Sequence, residues 1–126
     1  MDVSLLKCKI HRATVTETQV DYEGSCAIDE NFLDAAGLRE FEKIHIWNVT
    51  NGQRLVTYAI RGQRGSGMIS INGSAAHRAK PGDLVIIAAF ATMSEAEADA
   101  FEPRLVYLGE NNRILRIGHQ LPAQAA

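Results

Sequence analysis

Two β-rich runs with Asn51-Gly52 between them constrain this chain more than any other local feature. Ile44-His45-Ile46-Trp47-Asn48-Val49 and Leu55-Val56-Thr57-Tyr58-Ala59-Ile60 are dense in β-branched and aromatic residues, which suit a pleated, half-buried surface. Asn-Gly supplies the two positive φ angles of a type I′ turn, so the pair predicts a β-hairpin.

The remaining segments point the same way. Leu5 to Val15 reads as a strand that sets Lys7, Lys9 and His11 on one face by the two-residue period. Met68 to Ile71 predicts a short strand, and the apolar run Leu84 to Ala91 a buried one. Leu105 to Ile117 offers one or two closing strands. Between them lie a glycine-rich loop (Arg61 to Gly67) and turns at Asn72-Gly73-Ser74 and Pro81-Gly82-Asp83. Tyr22 to Cys26 interrupts the strand pattern.

Two helices are signalled. Asp29 reads as an N-cap, Ile28 and Leu33 as a hydrophobic staple, and Gly37 as a left-handed stop. Ser94 reads as the cap of a helix through Ala100, bounded by Pro103. Many short strands with glycine turns and two short helices predict a mostly β barrel or sandwich.

Composition narrows the function classes. A chain of 126 residues, 46% hydrophobic and 22% charged, is expected to form one globular domain. Its 13 Lys+Arg against 15 Asp+Glu form no basic stripe, which argues against a nucleic-acid partner. Glu95, Glu97 and Asp99 read as a solvated helix face. No apolar run reaches membrane-span length, and Met1-Asp2-Val3-Ser4 lacks a signal-peptide layout. The expectation is a cytoplasmic protein with reduced Cys8 and Cys26, in which the sequons at Asn48 and Asn72 are chance matches. His11, His45, His77 and His119 show no metal-ligand spacing, so no metal site is expected. Cys26 with His11 or His77 would suggest a thiol nucleophile, but no third orienting residue can be placed.

Gly24-Ser25 alone says little, since Gly65-Ser66 and Gly73-Ser74 repeat the dipeptide and an ordinary turn explains any of them. Its surroundings change that. Tyr22-Glu23-Gly24-Ser25-Cys26-Ala27-Ile28-Asp29 and Phe32 to Gly37 resemble the processing region of bacterial aspartate 1-decarboxylases. The likeness continues in order through Ile46 to Gly52, Arg54 with Thr57-Tyr58-Ala59-Ile60, Arg64-Gly65-Ser66, Ile71 to His77, and Gly82 to Ala88. It covers about three-quarters of the chain and thins after Tyr107. Ser74 departs from it, standing where the family pattern has alanine.

The resemblance implies a double-psi β-barrel assembled as a homotetramer, self-cleaved into chains 1–24 and 25–126. In the implied scheme Ser25 attacks the carbonyl of Gly24, and the resulting ester eliminates and hydrolyses to a covalent pyruvoyl group. That group forms a Schiff base with L-aspartate, which loses CO2 to give β-alanine for pantothenate and coenzyme A. Its carbonyl is the electron sink that no ordinary side chain offers. Glycine before the serine lets a nucleophile reach its own preceding carbonyl.

The implied roles are residue by residue. Thr57 donates to the oxyanion of cleavage. Tyr58 is the proton donor, a phenol being protonated at neutral pH. Lys9 and Arg54 meet substrate carboxylates, and the retained side-chain carboxylate is the better use of a cation. Gly73, Ser74 and Ala75 offer backbone N–H groups, and Asn72 holds the turn or the processing loop. Without the resemblance each has a plain alternative: strand packing for Thr57 and Tyr58, solvated side chains for the cations, a turn for Asn72.

Thr57 and Tyr58 are strand neighbours, so their side chains are expected on opposite faces, which favours sites shared between subunits. Whether a maturation factor assists cleavage is left open. Two competing classes stand: a small β-barrel binding module without catalysis, and a pyruvoyl decarboxylase acting on another amino acid.

Overall fold

The computed structural model describes residues 1–126. Nine strands lie in one sheet: β1 (Asp2–Thr14), β2 (Glu17–Gln19), β3 (Ser25–Asp29), β4 (Lys43–Asn48), β5 (Arg54–Gly62), β6 (Ile69–Asn72), β7 (Leu84–Ser94), β8 (Arg104–Leu108) and β9 (Ile114–Gly118). Helix α1 (Glu30–Ala36) follows β3, helix α2 (Glu95–Ala100) follows β7, and 3-10 turns cover Gly73–Arg78 and Glu110–Asn112. The mostly β class expected from the sequence is what forms.

Strand order is β2-β6-β3-β5-β4-β7-β1-β8-β9. Because β1 runs into β2 through only Val15 and Thr16, one stretch of chain belongs to both halves of this order and bends the sheet into a barrel-like ring. Val15 N–H donates to Asp83 O, Gly82 N–H to Val15 O, and Thr16 N–H to Ile69 O. Thr16 Oγ1 also exchanges hydrogen bonds with Ile69, donating to its O and accepting from its N. Pairings are mixed: β2/β6, β3/β5 and β1/β8 are parallel, the others antiparallel. The core fills the ring, with Cys8, Ile10, Cys26, Ile28, Ile44, Ile46, Ala59, Ile69, Ile71, Val85, Ile87 and Val106 at its centre.

Local signals were obeyed at both helices. Asp29 caps α1 by accepting from Asn31 N, and Gly37 ends it at φ +71. Ser94 and Glu97 close a capping box on α2, whose acidic face is exposed. Asp29 does more than cap, since its two carboxylate oxygens also accept from Gly65 N and Gly67 N. It thereby ties the glycine-rich loop to α1.

Other expectations need correction. The β4/β5 hairpin forms, with Ile44 opposite Thr57 and Trp47 opposite Arg54, but its turn is not a two-residue type I′. The ladder closes at Asn48 N–H to Gln53 O, leaving the four-residue loop Val49 to Gly52, where only Gly52 has positive φ (+77). The cause is Asn48. Its Oδ1 accepts from Thr50 N and Asn51 N, while its Nδ2 donates to Asp83 Oδ2 and Arg78 O. Those four bonds dock the loop on the neighbouring turn and outweigh the local preference of Asn-Gly.

Ser25 and Cys26, read as a break in the pattern, begin a fully buried strand. Asn72 belongs to β6, and Gly73 opens a 3-10 turn rather than a simple reverse turn. Strand β2, only three residues long, was not foreseen. No helix is long and apolar enough to cross a membrane.

Both cysteines are free and buried. Burial pushes the Cys26 thiol up to about 12, and burial, partly offset by Lys7, pushes Cys8 up to about 11. Native protein at pH 8 is therefore expected to resist a thiol-disulfide reagent until denaturant is added; rapid labelling of the folded chain would contradict the packing. Replacing Asp29→Ala removes a cap and two loop hydrogen bonds, and should cost about 2–3 kcal/mol in urea unfolding. A cost within measurement error would show the loop held by other contacts.

Candidate active site

Ser25 opens β3 beside β6, where Asn72 is its antiparallel partner. The serine is 1% exposed and the asparagine 2%. Asn72 Nδ2 donates to Ser25 Oγ at 3.1 Å, and Ser25 Oγ donates to Glu23 O at 2.9 Å. A third member was missed by sequence reasoning. Ser70, also buried, donates from Oγ to Asn72 Oδ1 at 2.8 Å. A serine two residues before the asparagine on a strand shares its face, and that spacing was the available signal.

The backbone before Ser25 is held by glycine on both sides. Gly73 has φ +71, and a Cβ there would come within 2.6 Å of Gly24 Cα and 3.0 Å of Gly24 N. Only a residue without a side chain fits so close an approach. Gly24 itself has open space where a Cβ would stand. The turn Gly73–Arg78 packs against β2, β5 and β6, which brings Gly24, Ser25, Asn72 and Gly73 together. Ser74 is exposed and Ala75 half-buried on that turn.

Strand register places the other candidates. Thr57 lies opposite fully buried Ile44, and Tyr58 opposite exposed Lys43, so the two point to opposite faces as expected. Extending the β3/β5 register one residue back from Cys26 opposite Ala59 sets Tyr58 beside Ser25 on the outer face. Arg54 shares that outer face four residues away, its guanidinium 4.6 Å from the Trp47 ring centroid. A cavity of about 430 Å3 lies there, lined by His45, Trp47, Arg54, Leu55, Val56 and Phe90.

Lys9 makes no hydrogen bond or ion pair with the Ser25 cluster. It sits on β1 opposite Ala88 of β7, in a row that continues through His45 and Val56. Four strand steps separate β1 from β3 on that route, roughly 19 Å along the sheet. Neither Lys9 nor Arg54 is paired with a carboxylate, so both cations are available. Near Lys9, His11 stacks edge-on with Tyr107 at 5.5 Å and leaves a buried Nδ1 without a partner. Burial lowers its pKa, with Lys9 and Arg12 adding to the effect.

A barrel-like sheet with a serine sunk in its wall, oriented by an asparagine and backed by a glycine turn, defines a class of small β proteins. The serine follows a glycine whose backbone is pressed by a second glycine. Comparison with known proteins makes the class particular. The aspartate decarboxylase family model matches residues 1–115, and the chain belongs to that family. It is 63% identical over 123 residues to an aspartate 1-decarboxylase of Albidiferax ferrireducens, covering 98% of this chain and 91% of the relative. It is 59% identical to that of Stenotrophomonas maltophilia strain R551-3 over the whole of both chains. The Acinetobacter baumannii enzyme is 59% identical over 97% of each.

Gly73→Ala should be costly, since it combines positive φ with a backbone collision. A loss of at least about 2 kcal/mol in chemical unfolding is expected. A neutral effect would show that the turn can withdraw from Gly24.

Proposed function

We propose that the chain decarboxylates L-aspartate to β-alanine, using a pyruvoyl group made from Ser25 after self-cleavage at Gly24-Ser25. One observation carries the reading. Ser25 Oγ is buried, accepts an N–H from Asn72 and stands beside a glycine peptide that Gly73 pins from the other side. The name carried by the relatives supplies the substrate.

In cleavage, Ser25 Oγ bonds to the Gly24 carbonyl carbon and the Gly24–Ser25 C–N bond breaks. The hydroxyl proton ends on the freed amine. Elimination from the ester then releases the Gly24 carboxylate, and hydrolysis releases ammonia. Thr57, adjacent in β5, is the donor for the oxyanion. The pyruvoyl group supplies the electron sink for the carbanion left when CO2 departs. The surrounding residues fit a group formed in place, because the Asn72 donor is already aimed at the position-25 side chain.

Tyr58 Oη holds the proton that replaces the lost carboxylate at the substrate α-carbon. The unpaired cations Lys9 and Arg54 orient carboxylates, the retained one above all. Backbone N–H groups of Gly73, Ser74 and Ala75 hold the substrate end nearest the turn.

The ring of mixed parallel and antiparallel pairings supports a double-psi barrel. Phe41, Val56 and Phe90 are exposed on the face that carries Arg54 and Tyr58, and Lys9 lies four strand steps from β3 along the sheet. Both facts support a homotetramer with sites between subunits. Chains 1–24 and 25–126 stay associated in it, in the cytoplasm, making β-alanine for pantothenate. A maturation factor is an optional further partner.

Intact mass should reveal fragments 1–24 and 25–126, with CO2 released from labelled aspartate. Ser25→Ala should abolish both. Activity surviving that change would overturn the mechanism, and CO2 release from another amino acid in preference to aspartate would overturn the substrate.

A further inference from the structure

We propose that Ser70 is a positioning residue for self-processing, acting through Asn72 on the oxygen of Ser25; the proposal rests on the cleavage reading above. The three side chains form a directed chain: Ser70 Oγ to Asn72 Oδ1, Asn72 Nδ2 to Ser25 Oγ, Ser25 Oγ to Glu23 O. An asparagine amide has two orientations of nearly equal shape. Turned round, Asn72 would donate to Ser70 and accept from Ser25. Ser70 would then lose its bond to Asn72 Oδ1 and Ser25 its bond to Glu23 O, at residues no more than 2% exposed. The observed direction makes three hydrogen bonds and the reverse makes two. Ser70 thus keeps the amide nitrogen, rather than the oxygen, facing Ser25.

That choice matters most after the acyl shift. Once Oγ carries the Gly24 acyl group, it has no hydrogen and can only accept. An Asn72 nitrogen can hold it; an Asn72 oxygen would repel it. In the elimination the Ser25 Cβ–Oγ bond breaks, a proton leaves the α-carbon, and Oγ departs as part of the Gly24 carboxylate. A donor on Oγ stabilises the charge that develops there. Removing Ser70 takes away one of the bonds that fix the donor, so the ester should form but eliminate slowly.

The test compares wild type, Ser70→Ala, Ser70→Thr, Asn72→Ala and the Ser70→Ala/Asn72→Ala pair. Fragment formation and hydroxylamine-sensitive ester are followed by intact mass, with thermal melts as a fold control. Ser70→Ala should slow fragment release about tenfold, the equivalent of one hydrogen bond, and accumulate ester. Ser70→Thr should restore the rate to within a few-fold. In the Asn72→Ala background Ser70→Ala should change nothing further. Wild-type processing by a folded Ser70→Ala chain, or an equal loss in the Asn72→Ala background, would overturn the proposal. If wild type itself is never cut, the cleavage reading fails instead. The Ser70 role is then read from exchange of the Asn72 side-chain amide by NMR: faster in Ser70→Ala supports it, unchanged overturns it.

Discussion

Val15 and Thr16 hold together everything described above. They carry β1 into β2, and so make one piece of chain part of both halves of the strand order. Val15 is locked to the turn before β7 by hydrogen bonds with Gly82 and Asp83, and Thr16 to Ile69 through backbone and hydroxyl. Without that joint β6 would lose its outer neighbour. Asn72, which ends β6, would then lose the frame that aims it at Ser25.

The site inherits its precision from backbone rather than from charge. Ser25 and Asn72 are strand partners, and Gly73 presses on Gly24. No ionised group is among these contacts. Charged candidates lie outside the cluster, on the convex face, where the sheet spreads side chains apart. A pocket that must grip a dicarboxylate needs convergence, and a convex wall provides it only against another surface.

Much of this was legible in the sequence where one short segment decides the outcome. Asp29 and Gly37 bracket α1, Ser94 and Glu97 open α2, and the β4 and β5 runs pair in antiparallel register. Longer-range contacts were not legible. Asn51-Gly52 announces a two-residue turn, yet Asn48 reaches Asp83 and Arg78 and imposes a longer loop. β2 has three residues and exists only because β6 is beside it. At the site, family resemblance drew attention to Ser25, Asn72 and Gly73, while the reason for Gly73 is a contact that no local pattern encodes. Ser70 went unnoticed because its only signal is the two-residue spacing to Asn72, which means nothing until both are known to lie in one strand.

The position of the Gly24-Ser25 bond also fixes what a severed molecule would be. Everything before it includes β1, which pairs with β7 and β8, and β2, which pairs with β6. A chain cut there would be two interlaced strands of a split protein, with the smaller piece woven through the larger. Folding would happen once, as a single chain, before any such cut. Afterwards reassembly would be a meeting of two molecules, dependent on concentration and slowed by the need to thread β1 between formed neighbours. The finished protein would owe its persistence to the barrier against unravelling, and its stability would be a lifetime as much as an equilibrium.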